Sequence, residues 1–108
     1  MIDIQADHFA TVKQILAEYF PDYEVRAFGS RVTQTAKSYS DLDLAIVGQN
    51  ALDSDRFRHL KEAFEGSDLP FRVDVLDWHR ISESFHTVIE KQYEVIQKAK
   101  TGAVRKDS

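Results

Sequence analysis

The chain reads as an α/β (α+β) protein in which a small mixed β-sheet is flanked by helices. Three observations carry that reading. Helical and strand periodicities alternate in the order α-β-α-β-α-β-α, which favours a sheet with helices packed against it. One segment, Leu42 to Val47, is a nearly continuous apolar run, as in a central strand covered on both faces. The length of 108 residues suits one domain with a single core and no second lobe.

The first helix is expected over Ala6 to Phe20, where Phe9, Val12, Ile15, Leu16 and Tyr19 recur at helical spacing. Pro21 ends it and Asp22 begins the turn. From Tyr23 to Phe28, apolar Tyr23, Val25 and Ala27 alternate with Glu24 and Arg26, predicting the first strand. Gly29-Ser30 makes a tight exit, and a short helix is expected over Arg31 to Ala36. Gly48-Gln49-Asn50 closes the Leu42 to Val47 strand.

A second long helix is expected over Asp53 to Gly66, with Asp53 or Ser54 as its cap and Gly66 as its stop. Phe57, Leu60, Ala63 and Phe64 form its apolar stripe. A third strand follows Pro70 over Phe71 to Leu76, and a last helix spans Ser82 to Gln92 with Phe85, Val88 and Ile89 on one face. Tyr93 to Ile96 fits either a continuation of that helix or a short closing strand. A single domain is thus expected over residues 1–98, with a flexible, partly basic tail over 99–108.

Bulk composition narrows the function classes. The formal net charge of −4 provides no overall basic field, so direct nucleic-acid binding is not expected. The chain has no cysteine, which excludes disulfides and thiolate zinc sites and makes a cytoplasmic home the simple inference. No apolar run approaches a membrane span, and the N-terminus lacks a signal-peptide core.

The chemistry concentrates in residues 29–43 and around Asp74. Asp41 and Asp43 straddle Leu42 at the mouth of a strand, and carboxylates at i and i+2 project from one face. Asp74 interrupts the apolar alternation of Val73 and Val75, where an unpaired carboxylate is costly unless a cation or hydrogen bonds receive it. If the two strands are neighbours, three carboxylates meet. Their repulsion would raise one pKa, and one or two Mg²⁺ ions would relieve it while bridging triphosphate oxygens. Gly29 allows close backbone approach to a ligand, and Ser30 is expected to cap a helix whose N–H groups face phosphate. Arg31 is placed as either a phosphate clamp or a partner to a surface acid.

Taken singly, these residues have plainer explanations. Asp41 after Ser40 suits a turn, Asp74 could pair with Arg72, and Gly29-Ser30 could be an ordinary strand-to-helix turn. Their joint spacing favours a functional cluster. His8, His59, His79 and His86 show no metal-ligand spacing, Trp78 suits a core edge better than a base-stacking platform, and Tyr39 suits an exposed loop.

The pattern Gly-Ser, ten residues (31–40), then Asp-x-Asp resembles the minimal nucleotidyltransferases of the DNA polymerase β superfamily. The similarity runs from about Tyr23 through Trp78, and Arg72-Val73-Asp74-Val75-Leu76-Asp77 fits the strand that bears the family's third carboxylate. By that resemblance Gly29 and Ser30 hold nucleotide phosphates, and Asp41 and Asp43 bind Mg²⁺. Asp74 completes the cluster and assists deprotonation of the acceptor. Many relatives carry a basic residue where this chain has Thr33 and a glycine where it has Gln34.

The resemblance extends to the antitoxin half of two-gene HEPN/MNT toxin–antitoxin modules. It implies a helical HEPN-type toxin as partner in a hetero-oligomer, and AMP transfer from ATP to a tyrosine hydroxyl that silences the toxin. Two other functions compete with this one. An antitoxin could act by binding and occlusion alone. A small-molecule nucleotidyltransferase of the aminoglycoside-modifying kind would need an acceptor pocket, which a homodimer could supply.

Overall fold

The computed structural model describes residues 2–37 and 39–100. Its elements are α1 (Ala6–Tyr19), β1 (Glu24–Phe28), α2 (Ser30–Thr33), β2 (Leu42–Val47), α3 (Ser54–Glu65), β3 (Val73–Asp77), a 3₁₀ turn (Trp78–Arg80), α4 (Glu83–Lys91) and β4 (Glu94–Gln97). The four strands lie in the order β3-β2-β1-β4. β1 is antiparallel to both β2 and β4, whereas β2 and β3 run parallel. The mixed sheet expected from the alternating periodicities is therefore present.

Local chemistry explains most boundaries. Asp53 caps α3 by accepting from Arg56 N at 2.9 Å, and Gly66 is its C-cap. Ser82 caps α4 through its hydroxyl, which accepts from Phe85 N at 3.2 Å. The third strand begins two residues later than expected because pairing starts with Val73 opposite Leu42. Phe71 instead lies against the Arg31 guanidinium at 4.3 Å. The Tyr93 to Ile96 ambiguity resolves as β4, whose Gln97 side chain donates to the carbonyls of Phe20 at 2.7 Å and Tyr23 at 2.8 Å.

The short helix after Gly29 is shorter than expected and shifted by one residue. It spans Ser30–Thr33 and stops at Gln34, which adopts the left-handed conformation with φ 67°. Without a glycine there, that backbone costs about 1 kcal/mol.

Packing divides the sheet into two unequal faces. On one, α1 and α3 close a dry core in which Leu16, Phe20, Leu42, Leu44, Ile46 and Leu60 are inaccessible to solvent. On the other, α4 and the 3₁₀ turn cover only a smaller cluster of Phe28, Ala45, Trp78 and Ile89. β2 is thus covered on both faces through its centre and opens at Asp43. Among the described residues, no helix is long and apolar enough to cross a membrane. The tail expected over 99–108 lies, from residue 101 onward, outside the described residues.

Candidate active site

The parallel pairing of β2 and β3 sets Asp43 directly beside Asp74. Neighbouring strands stand roughly 4.8 Å apart, and partners in register share a face, so the two carboxylates are side by side. They lie on the less covered face, next to Phe28, which pairs with Asp43 from β1. Both are half-buried, and Asp41 is exposed one residue ahead of β2.

Asp43 is the electrostatic centre of this group. Its pKa is pushed up from 3.8 to about 6, first by burial and then by repulsion from Asp74 and Asp41. Arg72 opposes this by attraction. It precedes β3 by one residue and Asp74 by two. That spacing was the available signal for a balancing cation.

Gly29 joins the turn to the carboxylates. Its backbone (φ 82°, ψ −159°) lies where side chains are rarely tolerated. A Cβ there would collide with Asp43 Oδ2 and lie 3.2 Å from Asp43 Cγ. The glycine therefore lets the chain turn while its backbone approaches the carboxylate at close range. Ser30 is not the helix cap expected of it: Gly29 occupies that position, and Ser30 is the first helical residue. Its carbonyl accepts from Thr35 N at 3.0 Å, which closes the turn.

Arg31 anchors the loop ahead of Asp41. It is buried, with Nη1 donating to Asp3 O at 2.9 Å and Nε donating to Ser40 O at 3.0 Å, and its guanidinium lies over Phe71. These contacts tie the N-terminal segment to the loop that delivers Asp41. These two acceptors are main-chain carbonyls, so no side-chain pattern announced them.

A further carboxylate, Asp77, is nearly inaccessible. It accepts from Leu52 N at 2.9 Å, His79 N at 3.0 Å and Arg80 Nε at 3.2 Å. It organises the approach to α3 and the 3₁₀ turn, on the opposite face of β3 from Asp74. Trp78 is buried at the core edge, stacked on His86 at 3.8 Å with Arg26 at 4.8 Å from its ring. His79 and His86 contact the carbonyls of Gly48 and Trp78, each at 2.6 Å.

The oxygen donors available to a divalent cation are Asp41, Asp43 and Asp74. Among the described residues, no group of three or more acidic, imidazole or thiol side chains is placed to hold a metal ion, so these three carboxylates do not by themselves form a complete ligand set. The fit to a hard cation rests on the donor chemistry. Asp43 is loaded by two neighbouring carboxylates, and Mg²⁺ is commonly held by one or two carboxylates together with substrate phosphates and water. A groove of about 960 Å³ runs along the free edge of β3, with Asp74 in its wall beside Arg72, Arg80 and the α3 residues Lys61 and Phe64.

A turn that admits close backbone approach, abutting paired carboxylates on a mixed sheet, is the arrangement of a nucleotidyltransferase. The nucleotidyltransferase domain family matches residues 10–101, and this chain belongs to that family. Among its relatives, the probable protein adenylyltransferase MntA of Haemophilus influenzae is 55% identical over 96 residues, spanning 89% of this chain and 84% of that protein. Two solved structures share the fold. One is a toxin–antitoxin with AMP-PNP (TM-score 0.70, 21% identity, 87% of this chain and 76% of that chain). The other is a tri-AMPylated Shewanella oneidensis HEPN toxin in complex with MNT antitoxin (TM-score 0.65, 20% identity, 93% of this chain and 77% of that chain).

Proposed function

We propose that this chain transfers AMP from ATP, with Mg²⁺, to a tyrosine hydroxyl of a HEPN-type toxin and so silences it. The observation that carries the reading is the contact between the Gly29 backbone and Asp43, with Asp74 alongside. The Gly29 turn and the acidic pair are thereby adjacent. The 55% identity to a protein adenylyltransferase supports the choice of AMP transfer. The likeness to antitoxin structures supports the fold in which it would occur.

In this reading Gly29 admits the nucleotide phosphates close to the main chain, and the Ser30 hydroxyl donates to a phosphate oxygen. Asp41 and Asp43 would hold the cation. A bound cation would supply neutralisation of the triphosphate and of the crowded carboxylates. Asp74, nearest the open groove along β3, accepts the proton of the incoming hydroxyl, whose oxygen attacks the α-phosphorus as pyrophosphate leaves. The groove gives a protein acceptor a side from which to approach.

Intact mass of a HEPN-type toxin from the same genome, incubated with this chain, ATP and Mg²⁺, tests the proposal. The expected result is a gain of one or more AMP units, lost when Asp41 and Asp43 are both changed to Asn. A stable complex with no mass gain would overturn it in favour of inhibition by occlusion.

A further inference from the structure

We propose that Tyr39 is itself an acceptor of AMP, so that the chain modifies the loop at its own active-site entrance. The inference rests on the reading that this site transfers AMP to a phenolic oxygen.

The chain has four tyrosines. Three are engaged in packing: Tyr19 lies against the main core, the Tyr23 ring meets Phe20 edge-on at 5.1 Å, and the Tyr93 ring covers the Arg26 guanidinium at 4.5 Å. Tyr39 differs. It is 73% exposed, more than any other large apolar side chain noted among the described residues. A lone exposed aromatic needs no explanation by itself. Its position is what matters, because it lies two residues before Asp41, and its Cα is within ~7 Å of that residue's Cα.

The loop is anchored immediately after Tyr39. Ser40 O accepts from the buried Arg31 Nε at 3.0 Å, Ser40 N donates to Lys37 O at 3.0 Å, and Ser40 Oγ accepts from Lys37 N at 2.9 Å. The backbone is thus anchored between Tyr39 and Asp41 while the phenol stands in solvent. This tethers a nucleophile of the class proposed for the site to the same chain, two residues from Asp41, which raises its local concentration.

The chemistry balances without a further reactant. The Tyr39 hydroxyl gives its proton to Asp74 or water, its oxygen bonds to the α-phosphorus of ATP, and the bond from that phosphorus to pyrophosphate breaks. The products are O-adenylyl-Tyr39 and pyrophosphate. The adduct adds a negative charge to the loop that leads into Asp41, so a modified chain would transfer AMP to its partner more slowly.

The test is incubation of the full chain with ATP and Mg²⁺, without a partner, followed by intact mass and peptide mapping. The expected result is one AMP on Tyr39, absent from Tyr39→Phe and from Asp43→Asn, while Tyr39→Phe still modifies the toxin. A wild-type chain that modifies the toxin but stays unlabelled would overturn the inference and leave the proposed function standing. Label on another residue, unchanged in Tyr39→Phe, would also overturn it. No label on either protein would sink both proposals.

Discussion

On one face of β2, Leu42, Leu44 and Ile46 are sealed by α1 and α3, while on the other Asp43 stands half-buried beside Asp74. Consecutive residues of one strand thus belong to different regimes. The dry face gains its stability from apolar surface removed from water. The other holds like charges close together, which works against folding. Asp77 is more deeply buried than Asp43, yet three donors receive its carboxylate, whereas the nearest charges raising the Asp43 pKa are other carboxylates. Asp77 is a structural acid; Asp43 is crowded by like charges.

The largest test of this contrast compares adjacent residues. Leu44→Ala empties part of the dry core and should cost about 2–5 kcal/mol in chemical denaturation. Asp43→Asn should do the reverse. AMP transfer is expected to fall by at least about 10²–10³-fold in a single-turnover assay. The same variant should be more stable than wild type at neutral pH, by about 1–2 kcal/mol once solvent screening of a half-exposed group is allowed for.

The pH dependence of that gain follows from its sign. The folded-state pKa of Asp43 is raised from 3.8 to about 6, so folding favours the protonated acid. Wild type therefore loses stability as pH rises from about 4 to about 6, and the advantage of Asn is absent below that window and complete above it. Unfolding curves that keep the two proteins equally spaced from pH 3.5 to 7 would contradict the assignment.

Gly29→Ala probes the contact between the two halves of the site. The backbone conformation alone should cost about 1–3 kcal/mol, and the new Cβ displaces the Asp43 carboxylate. Activity should fall further than the loss of stability explains, as measured below the melting transition. The smallest effect is expected at Gln34, where glycine would relieve the left-handed backbone. Gln34→Gly should stabilise the chain by about 0.5–1 kcal/mol in thermal unfolding without altering transfer.

Much of this molecule was legible in its residues because the signals are local. The run Leu42 to Val47 marked β2 to the residue, and Asp53 and Gly66 marked both ends of α3. Asp43 and Asp74 stood out because acids amid apolar strand residues need a reason, and Asp41 because of its spacing to Asp43 and to Gly29-Ser30. Tyr93 to Ile96 did not declare itself, since four residues are too few for one period to exclude another. Pairing with β1 and the reach of Gln97 to two distant carbonyls decided it. Arg31 was equally opaque: it donates to the backbone oxygens of Asp3 and Ser40, which carry no side-chain signature.

By itself, then, the sequence determined the order of the elements, the apolar stripes that drive their packing, and the acidic residues proposed for the nucleotidyltransferase site. These depend on periodicity and residue chemistry, which are written within a few positions of the chain. Only the tertiary structure decided that β2 and β3 lie parallel in the register that sets Asp43 beside Asp74, and that the Gly29 backbone meets the Asp43 carboxylate. Those contacts join residues 31 and 14 positions apart, and they exist only after the helices have closed the core and fixed which strand lies next to which.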